Sequence, residues 1–206
     1  MKKIFVLLFL SSIFYSAQAQ QAGRFRMGMD LGIAIPQGGG IGGVVNLEPK
    51  VNLSDHMNVG IRFGVAGLAK DVTYFDINED FEGEISANAS VTGTFDYYFN
   101  KGESSAAPFI GAGFGYFALS SVDFENGDFD DPDGIGNLEA DFAWAPMVRA
   151  GVELNKFRMS AEYNFVPRSN LQNAAGEVIG EAVNQYFAFT LGFYVGGGRW
   201  RDWNNF

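Results

Sequence analysis

The amino-acid sequence predicts an all-β protein, an eight-stranded antiparallel up-and-down barrel that crosses a membrane with its strands. Three observations predict this fold. Large apolar residues recur at every second position in eight segments, which is the period of a strand with two unlike faces. Phe and Gly are both abundant, with 21 Phe and 27 Gly among 206 residues. The N-terminus has the features of an export signal, so we expect the rest of the chain outside the cytoplasm.

The first 19 residues are predicted to form a cleaved signal peptide. Lys2 and Lys3 give it a positive start, residues 4–15 form an apolar run, and residues 17–19 are a small-x-small cleavage site. The run is shorter than the ~20 residues that a membrane-spanning helix requires, although a retained anchor is the alternative. We expect one domain over residues 20–206, a barrel with a short C-terminal tail.

The first four segments already show the alternation. The first, residues 25–35, sets bulky apolar residues against Arg, Asp, Gly and Ala, and the second, residues 45–53, opposes apolar residues to Asn, Glu and Lys. Pro49 is a poor strand residue there, tolerable at a bulge. The third and fourth segments, residues 58–65 and 85–99, repeat the pattern with small, amide and hydroxyl residues on the polar face. Each segment therefore predicts one strand.

The remaining segments complete an even number of strands. The fifth, residues 110–116, alternates apolar residues with Gly. The sixth, residues 142–154, is joined to the seventh, residues 157–165, by a two-residue turn, and the eighth, residues 186–195, is rich in aromatic residues. An even set of antiparallel hairpins is what a closed membrane barrel requires.

Alternation alone does not say which face is outside. The interior of an eight-stranded barrel is only just wide enough for side chains, and the apolar face is too bulky to fill it. The polar face carries five cations and five anions, a balance that a narrow lumen requires because a desolvated ion must be paired. We predict a lumen charge network of Arg26, Asp30, Glu48, Lys50, Arg62, Asp96, Arg149, Glu153, Arg158 and Glu162. A soluble barrel with an apolar core is the alternative fold, and an ion or proton path is the alternative role for these charges.

The connections are expected to be unequal in length. With the N-terminus in the periplasm, the turns near residues 54–56, 101–107 and 155–156 lie inside and are short. The outer connections are a Gly-rich turn at residues 37–43 and three long loops, at residues 69–83, 120–141 and 168–183. This asymmetry is typical of outer-membrane barrels. Two interfacial girdles are predicted from Phe25, Tyr97, Phe99, Trp144, Phe157, Phe165 and Phe187.

Two stretches carry a resemblance to a known family. The segment PFIGAGFGY at residues 108–116 and the closing YFAFTLGFY at residues 186–194 resemble the small outer-membrane β-barrel superfamily, which includes OmpA-like and OmpX-like proteins. PorT-family barrels are also similar. The resemblance implies contact with outer-membrane lipid and lipopolysaccharide, and recognition of the last strand by the barrel assembly machinery. The tail at residues 196–206 departs from the family, whose recognition signal usually ends the chain.

The residues offer little catalytic or metal chemistry. The one histidine, His56, lies in a predicted periplasmic turn, so no base stands beside a nucleophile and no catalytic residue or cofactor is predicted. The third outer loop is acidic, and Asp128, Asp130, Asp131 and Asp133 are candidate ligands for a weak divalent-cation site. The EF-hand spacing fails in this loop, and a solvated acidic loop is the alternative.

The net charge of the chain limits the classes of molecule that it can bind. Without Lys2 and Lys3 the chain has 12 basic residues against 24 acidic ones, so nucleic-acid binding is excluded. The sequence predicts an integral outer-membrane barrel that is not an enzyme, with an envelope-structural role or a role in binding a protein ligand through its acidic external loops. A narrow pore or a secretion accessory is the first alternative, and an outer-leaflet lipid-modifying enzyme is the second.

Overall fold

The computed structural model describes residues 22–71, 83–100, 104–124, 140–172 and 178–197. Its strands are β1 (Phe25–Pro36), β2 (Ile41–Asn52), β3 (Met57–Asp71), β4 (Gly83–Tyr98), β5 (Ala106–Phe124), β6 (Asp141–Leu154), β7 (Phe157–Asn164), β8 (Ser169–Gln172), β9 (Val178–Ala182) and β10 (Tyr186–Gly196). The described residues include no helix long and apolar enough to span a membrane.

Eight of these strands close into a barrel. The order β4-β3-β2-β1-β10-β7-β6-β5 is completed by pairing of β4 with β5, and every neighbouring pair in this ring is antiparallel. Closure satisfies the backbone groups that an open sheet would leave at its edges. The predicted eight-stranded antiparallel barrel is confirmed.

The two faces of the barrel wall differ as the alternation predicts. Bulky apolar residues point outward, and Phe157, Leu191 and Trp144 leave 68%, 65% and 62% of their surface exposed. Soluble proteins rarely expose apolar surface this continuously, because it is costly in water. The outward face is therefore suited to lipid, and all the predicted girdle residues lie on it.

The connections differ between the two ends of the barrel. At one end, here the turn end, β2 joins β3 through four residues and β6 joins β7 through Asn155 and Lys156. Asn155 has a φ of 57°, a left-handed conformation that Asn tolerates. The other end, here the loop end, has a tight turn in which Gly38, Gly39 and Gly40 all have positive φ. Its remaining connections are longer.

Three predicted element bounds were wrong. Strand β5 runs from Ala106 to Phe124 rather than over residues 110–116, and β2 begins at Ile41, inside the predicted turn. The predicted loop at residues 168–183 contains a hairpin, β8 and β9. Strand β8 pairs in parallel with β5 at Ser121 and Val122, so this hairpin extends the barrel wall past its rim.

Pro49 is accommodated without a bulge. The β2–β3 pairing is interrupted at Glu48 and Pro49, and the register is unchanged on both sides. A missing ladder bond therefore replaces the bulge that the sequence suggested, since Pro has no N–H to donate. The predicted signal peptide, most of the acidic third loop and the tail beyond Gly197 lie outside the described residues.

Candidate functional site

The lumen brings the predicted charges together. All ten residues of the predicted network are buried, each with 5% or less of its surface exposed. They come from strands β1, β2, β3, β4, β6 and β7, where alternate side chains point inward. The described ion pairs group them into three sets, and each set has as many cations as anions.

The largest set, here the central cluster, consists of Asp30, Glu48, Lys50, Asp96, Arg149 and Arg158. Glu48 is its hub. Its carboxylate accepts hydrogen bonds from Arg149 at 2.8 and 3.1 Å, from Arg158 at 3.0 Å and from the Thr94 hydroxyl at 2.6 Å. The ammonium group of Lys50 lies 3.2 Å from it. Both oxygens of this buried carboxylate are therefore saturated, as a charge away from water requires.

The other two anions of the central cluster, Asp96 and Asp30, bind the same cations as Glu48. Asp96 accepts from Arg149 Nε at 2.8 Å and Nη2 at 2.9 Å, and from Lys50 Nζ at 2.5 Å. Asp30 binds Arg158 through Nε at 3.1 Å and also through Nη2. Three cations and three anions thus share one network that crosses the lumen. Charge-assisted bonds of this kind are stronger than neutral ones.

Glycines make the room for this network. Gly192 is the cross-strand neighbour of Asp30, and a Cβ on it would lie 1.8 Å from Asp30 Oδ1 and 2.5 Å from Met29 O. Gly111 is the neighbour of Asp96, and a Cβ there would lie 2.1 Å from the carboxylate. The small residues on the inward face therefore set the space into which the long charged side chains fold.

Towards the turn end lies a second set, the turn-end cluster. Arg26 pairs with Glu153, which also accepts a hydrogen bond from the Tyr98 hydroxyl at 2.9 Å. The Arg26 guanidinium lies 3.8 Å from the centre of the Tyr194 ring, a cation–π contact. Tyr98 and Phe109 pack with ring centres 5.3 Å apart. Aromatic rings and one ion pair thus occupy this end of the lumen.

The third set lies on the loop side of the central cluster. Arg62 on β3 reaches β7 on the opposite wall, donating to Glu162 at 2.6 Å and to Asn164 at 3.1 Å. Strand β3 is four places from β7 around the eight-stranded ring, so this contact spans the full width of the lumen.

Nearer the loop end, the lumen is filled by apolar side chains, here called the apolar cap. Its members are Ala34, Val44, Ala66, Leu68, Phe117, Leu119, Ala145, Val166, Tyr186 and Ala188. This cap was not predicted from the sequence. In the run from Tyr116 to Leu119 every residue is apolar, so composition does not assign the inward face, and only the register places Phe117 and Leu119 inside.

The three charged sets and the apolar cap oppose the passage of an ion through the lumen. An ion crossing the lumen would have to separate buried pairs and leave its own water behind, and breaking a buried pair by itself costs about 3–5 kcal/mol. The lumen as described is a plug of paired charges with an apolar layer over it.

The other predicted site residues lie elsewhere. His56 is in the turn between β2 and β3, where its Nδ1 lies 3.2 Å from Tyr98 O and its ring stacks on Tyr97. The candidate cation ligands Asp128, Asp130, Asp131 and Asp133 are outside the described residues. Within the described ranges, no three His, Asp or Glu side chains are grouped as metal ligands would be.

Hydrogen bonds and an exposed ion pair lie at the rim of the loop end. Asp141, at the start of β6, accepts from the Asn170 backbone at 2.6 Å and from its side chain at 3.3 Å, which ties β8 to the barrel. Arg168 and Glu181 form an exposed ion pair at 3.1 Å. A pocket of about 250 Å³ lies between these residues and the rim.

Comparison with known proteins addresses the family and the fold. The chain matches a family model described as outer membrane protein beta-barrel domain over residues 5–193. No curated protein matches it significantly in sequence.

Among solved structures, the outer membrane protein OprG from Pseudomonas aeruginosa aligns with a TM-score of 0.54 at 14% identity, over 86% of this chain and 98% of that one. Neisserial surface protein A aligns at 0.42 and 13% identity, over 84% and 97% of the two chains. Ail of Yersinia pestis aligns at 0.38 and 13%, also over 84% and 97%. At these identities the likeness to OprG bears on the fold alone.

Proposed function

The chain belongs to the outer membrane protein β-barrel family, and on that premise we propose that it is a non-enzymatic barrel with a sealed lumen that acts through its loop end. Its place is the bacterial outer membrane, as the sequence predicts. The observation that carries the proposal is the filled lumen, in which ten paired charges and an apolar cap occupy the path through the barrel. A barrel closed in this way has its accessible surface at its two ends.

The loop end is the better candidate for the working surface. Short turns at the periplasmic end and longer connections outside are the rule for bacterial barrels, so we assign the loop end to the cell exterior. The long outer connections hold half of the acidic residues of the chain, and the β8–β9 hairpin raises the wall above the rim. Such a surface repels anionic solutes and attracts cationic groups.

The partners follow from this orientation. The outward apolar band contacts outer-membrane lipid, and the acidic rim binds lipopolysaccharide through bridging divalent cations. Strand β10 presents the aromatic pattern that the assembly machinery reads during insertion. A protein ligand with a basic face is the expected partner at the external loops.

A complementation experiment tests the role of the acidic loops. Cells that lack the gene should become more sensitive to detergent and to chelators, and the wild-type chain should restore resistance. A chain with Asp128, Asp130, Asp131 and Asp133 changed to Asn should reach the outer membrane but restore resistance poorly. The matched control changes the same four positions to Glu, which keeps the charge. Full rescue by the Asn variant would overturn the proposal.

Two further measurements address the alternatives. A secretion accessory predicts reduced export of cargo proteins in the deletion strain, and we expect export to be unchanged. A lipid-modifying enzyme predicts altered lipid A or phospholipid acylation on overexpression, and we expect unchanged lipid mass spectra. A positive result in either measurement would replace the proposed function.

A further inference from the structure

A small pocket lies at a seam in the barrel wall, at the rim of the loop end. Strand β5 pairs with β6 as far as Leu119 and with β8 from Ser121 onward, so β5 changes its partner between these two residues. The pocket of about 250 Å³ at this seam is here called the rim pocket. Its lining includes Asp141, Phe142, Arg168, Ser169, Asn170 and Glu181.

Contacts among the described residues hold the polar lining of the rim pocket in place. Asp141 accepts hydrogen bonds from the Asn170 backbone at 2.6 Å and from its side chain at 3.3 Å. Arg168 and Glu181 are held together by their ion pair at 3.1 Å. A ligand therefore meets side chains that are already oriented, which lowers the entropy cost of ordering them on binding.

Some groups of the lining still have hydrogen-bonding capacity. Ser169 is only 7% exposed, and its hydroxyl accepts from Asn184 Nδ2 at 2.8 Å, while the hydroxyl hydrogen has no acceptor among the described residues. The contact of Arg168 with Glu181 uses one of the five N–H groups of a guanidinium. Glu181 Oε1 and Asn170 Oδ1 accept no hydrogen bond from the described part of the chain. The rim pocket thus offers both donors and acceptors.

The charge of the lining and its mixture of donors and acceptors select the ligand. The carboxylates of Asp141 and Glu181 outnumber the one guanidinium, that of Arg168, so an anion such as phosphate is repelled. An ammonium or guanidinium group only donates hydrogen bonds, and it would leave the hydroxyl hydrogen of Ser169 without an acceptor. A neutral ligand with several hydroxyl groups donates and accepts at each of them, and it satisfies both kinds of group.

An aromatic ring forms part of the rim pocket next to the outward face of the barrel. Phe142 is 61% exposed and stacks on Tyr116 with ring centres 5.6 Å apart. The exposed face of this ring suits the C–H groups on one face of a sugar ring. At about 250 Å³ the pocket is smaller than the usual small-molecule pocket of about 300–1,000 Å³, so it accommodates one ring and not a chain of sugars.

We propose that the rim pocket binds a single neutral sugar ring, with the hydroxyl groups on its polar side chains and the C–H face on Phe142. The site lies beside outward aromatic residues, which occupy the headgroup level of a membrane. Two sources bring a sugar ring to this place, a lipid headgroup and a soluble saccharide. Because it names a partner at the loop end, the inference rests on the proposed function.

Saturation-transfer NMR with methyl glycosides tests the proposal, because this method detects weak binding. The probes are the methyl glycosides of glucose, galactose, mannose and N-acetylglucosamine. They are added to folded wild-type protein in micelles of a detergent without a sugar headgroup. We expect saturation transfer from the protein to at least one glycoside, and no transfer to any of the four would overturn the proposal.

Two substitutions locate the bound sugar. Arg168→Gln removes an exposed guanidinium, and Phe142→Leu removes the ring but keeps an apolar residue towards lipid, so each should weaken glycoside binding about ten-fold. Phe114→Leu is the matched control with wild-type affinity, since Phe114 is also an outward ring, stacked on Trp144 at 5.5 Å, and does not line the pocket. The heat-dependent shift in gel migration first shows that each variant is folded. Wild-type affinity in both pocket variants would place the sugar elsewhere and overturn the proposal.

Competition distinguishes the two sources of the sugar ring. If added lipopolysaccharide abolishes the glycoside signal, the result supports a lipid headgroup, whereas an unchanged signal supports a soluble saccharide. The pocket variants keep Asp128, Asp130, Asp131 and Asp133. Glycoside binding can therefore fail while the acidic loops still confer resistance to chelators, and the reverse result is equally visible.

Discussion

At the scale of single residues, Glu48 is the position on which most of the lumen depends. It is fully buried and binds Arg149, Arg158, Lys50 and Thr94. The cations around Glu48 are buried, so water does not replace its negative charge if that charge is removed. Removing one member of a buried charged network leaves the partner charge exposed to a low dielectric, which is costlier than removing both.

Glu48→Gln should therefore destabilise the barrel by about 3–5 kcal/mol, since it leaves three cations facing two anions. The measurement is urea unfolding of the protein refolded in lipid vesicles. Glu181→Gln is the matched control, because its ion pair with Arg168 is exposed and contributes at most about 1 kcal/mol. Equal effects of the two substitutions would show that the central cluster does not stabilise the fold.

Gly192→Ala should also destabilise, by about 1–3 kcal/mol, because the new methyl group meets both Asp30 and the backbone of Met29. The same unfolding assay measures the change. Gly67→Ala is its control, since a Cβ on Gly67 has no atom within 4 Å. A wild-type midpoint for Gly192→Ala would mean that Asp30 has room to move, contrary to the packing described.

At the scale of elements, alternation predicts the barrel strands well because their two faces meet different surroundings. The outward face contacts lipid and the inward face lines a narrow lumen, so large apolar residues alternate with small or polar residues along β1, β3 and β7. The sequence does not predict the β8–β9 hairpin. Its strand β9 has exposed residues at its first four positions, so no second face imposes a pattern.

The apolar cap was unpredictable for a related reason. Leu68, Phe117 and Leu119 are large and apolar, and in a membrane barrel such residues are expected to face lipid. Their inward direction follows from the length of β3 and β5, which continue beyond the predicted segments. By contrast, the positions of the ten lumen charges follow from alternation alone. Their pairing also depends on the stagger of the strands around the ring, which alternation does not determine.

Asp141→Ala should loosen the β8–β9 hairpin while leaving the barrel intact. The substitution removes the acceptor of the Asn170 backbone N–H, a bond of 2.6 Å at the protein surface. A loss of about 1 kcal/mol should speed amide exchange in β8 about five-fold. Hydrogen–deuterium exchange measures this, with β1 as the internal reference. Asp55→Ala, in a turn at the opposite end, is the control variant and should leave β8 exchange unchanged.

At the scale of the whole molecule, the layers of the lumen have a consistent order. The turn-end cluster, the central cluster, the Arg62–Glu162 pair and the apolar cap follow one another from the turn end to the loop end. Each charged layer is neutral, so none depends on ions from outside. The closed hydrogen-bond ladders make the barrel wall rigid. The ion pairs in the lumen form in only one stagger of the strands, so they specify the register.

Ion conduction tests the sealed lumen most directly. Purified protein, shown to be folded by its heat-dependent shift in gel migration, is reconstituted into planar lipid bilayers and its single-channel current is recorded in concentrated KCl. A lumen filled by paired charges and an apolar cap predicts no stable channels of porin size. A stable conductance of that size from the folded protein would contradict the sealed lumen and the function derived from it.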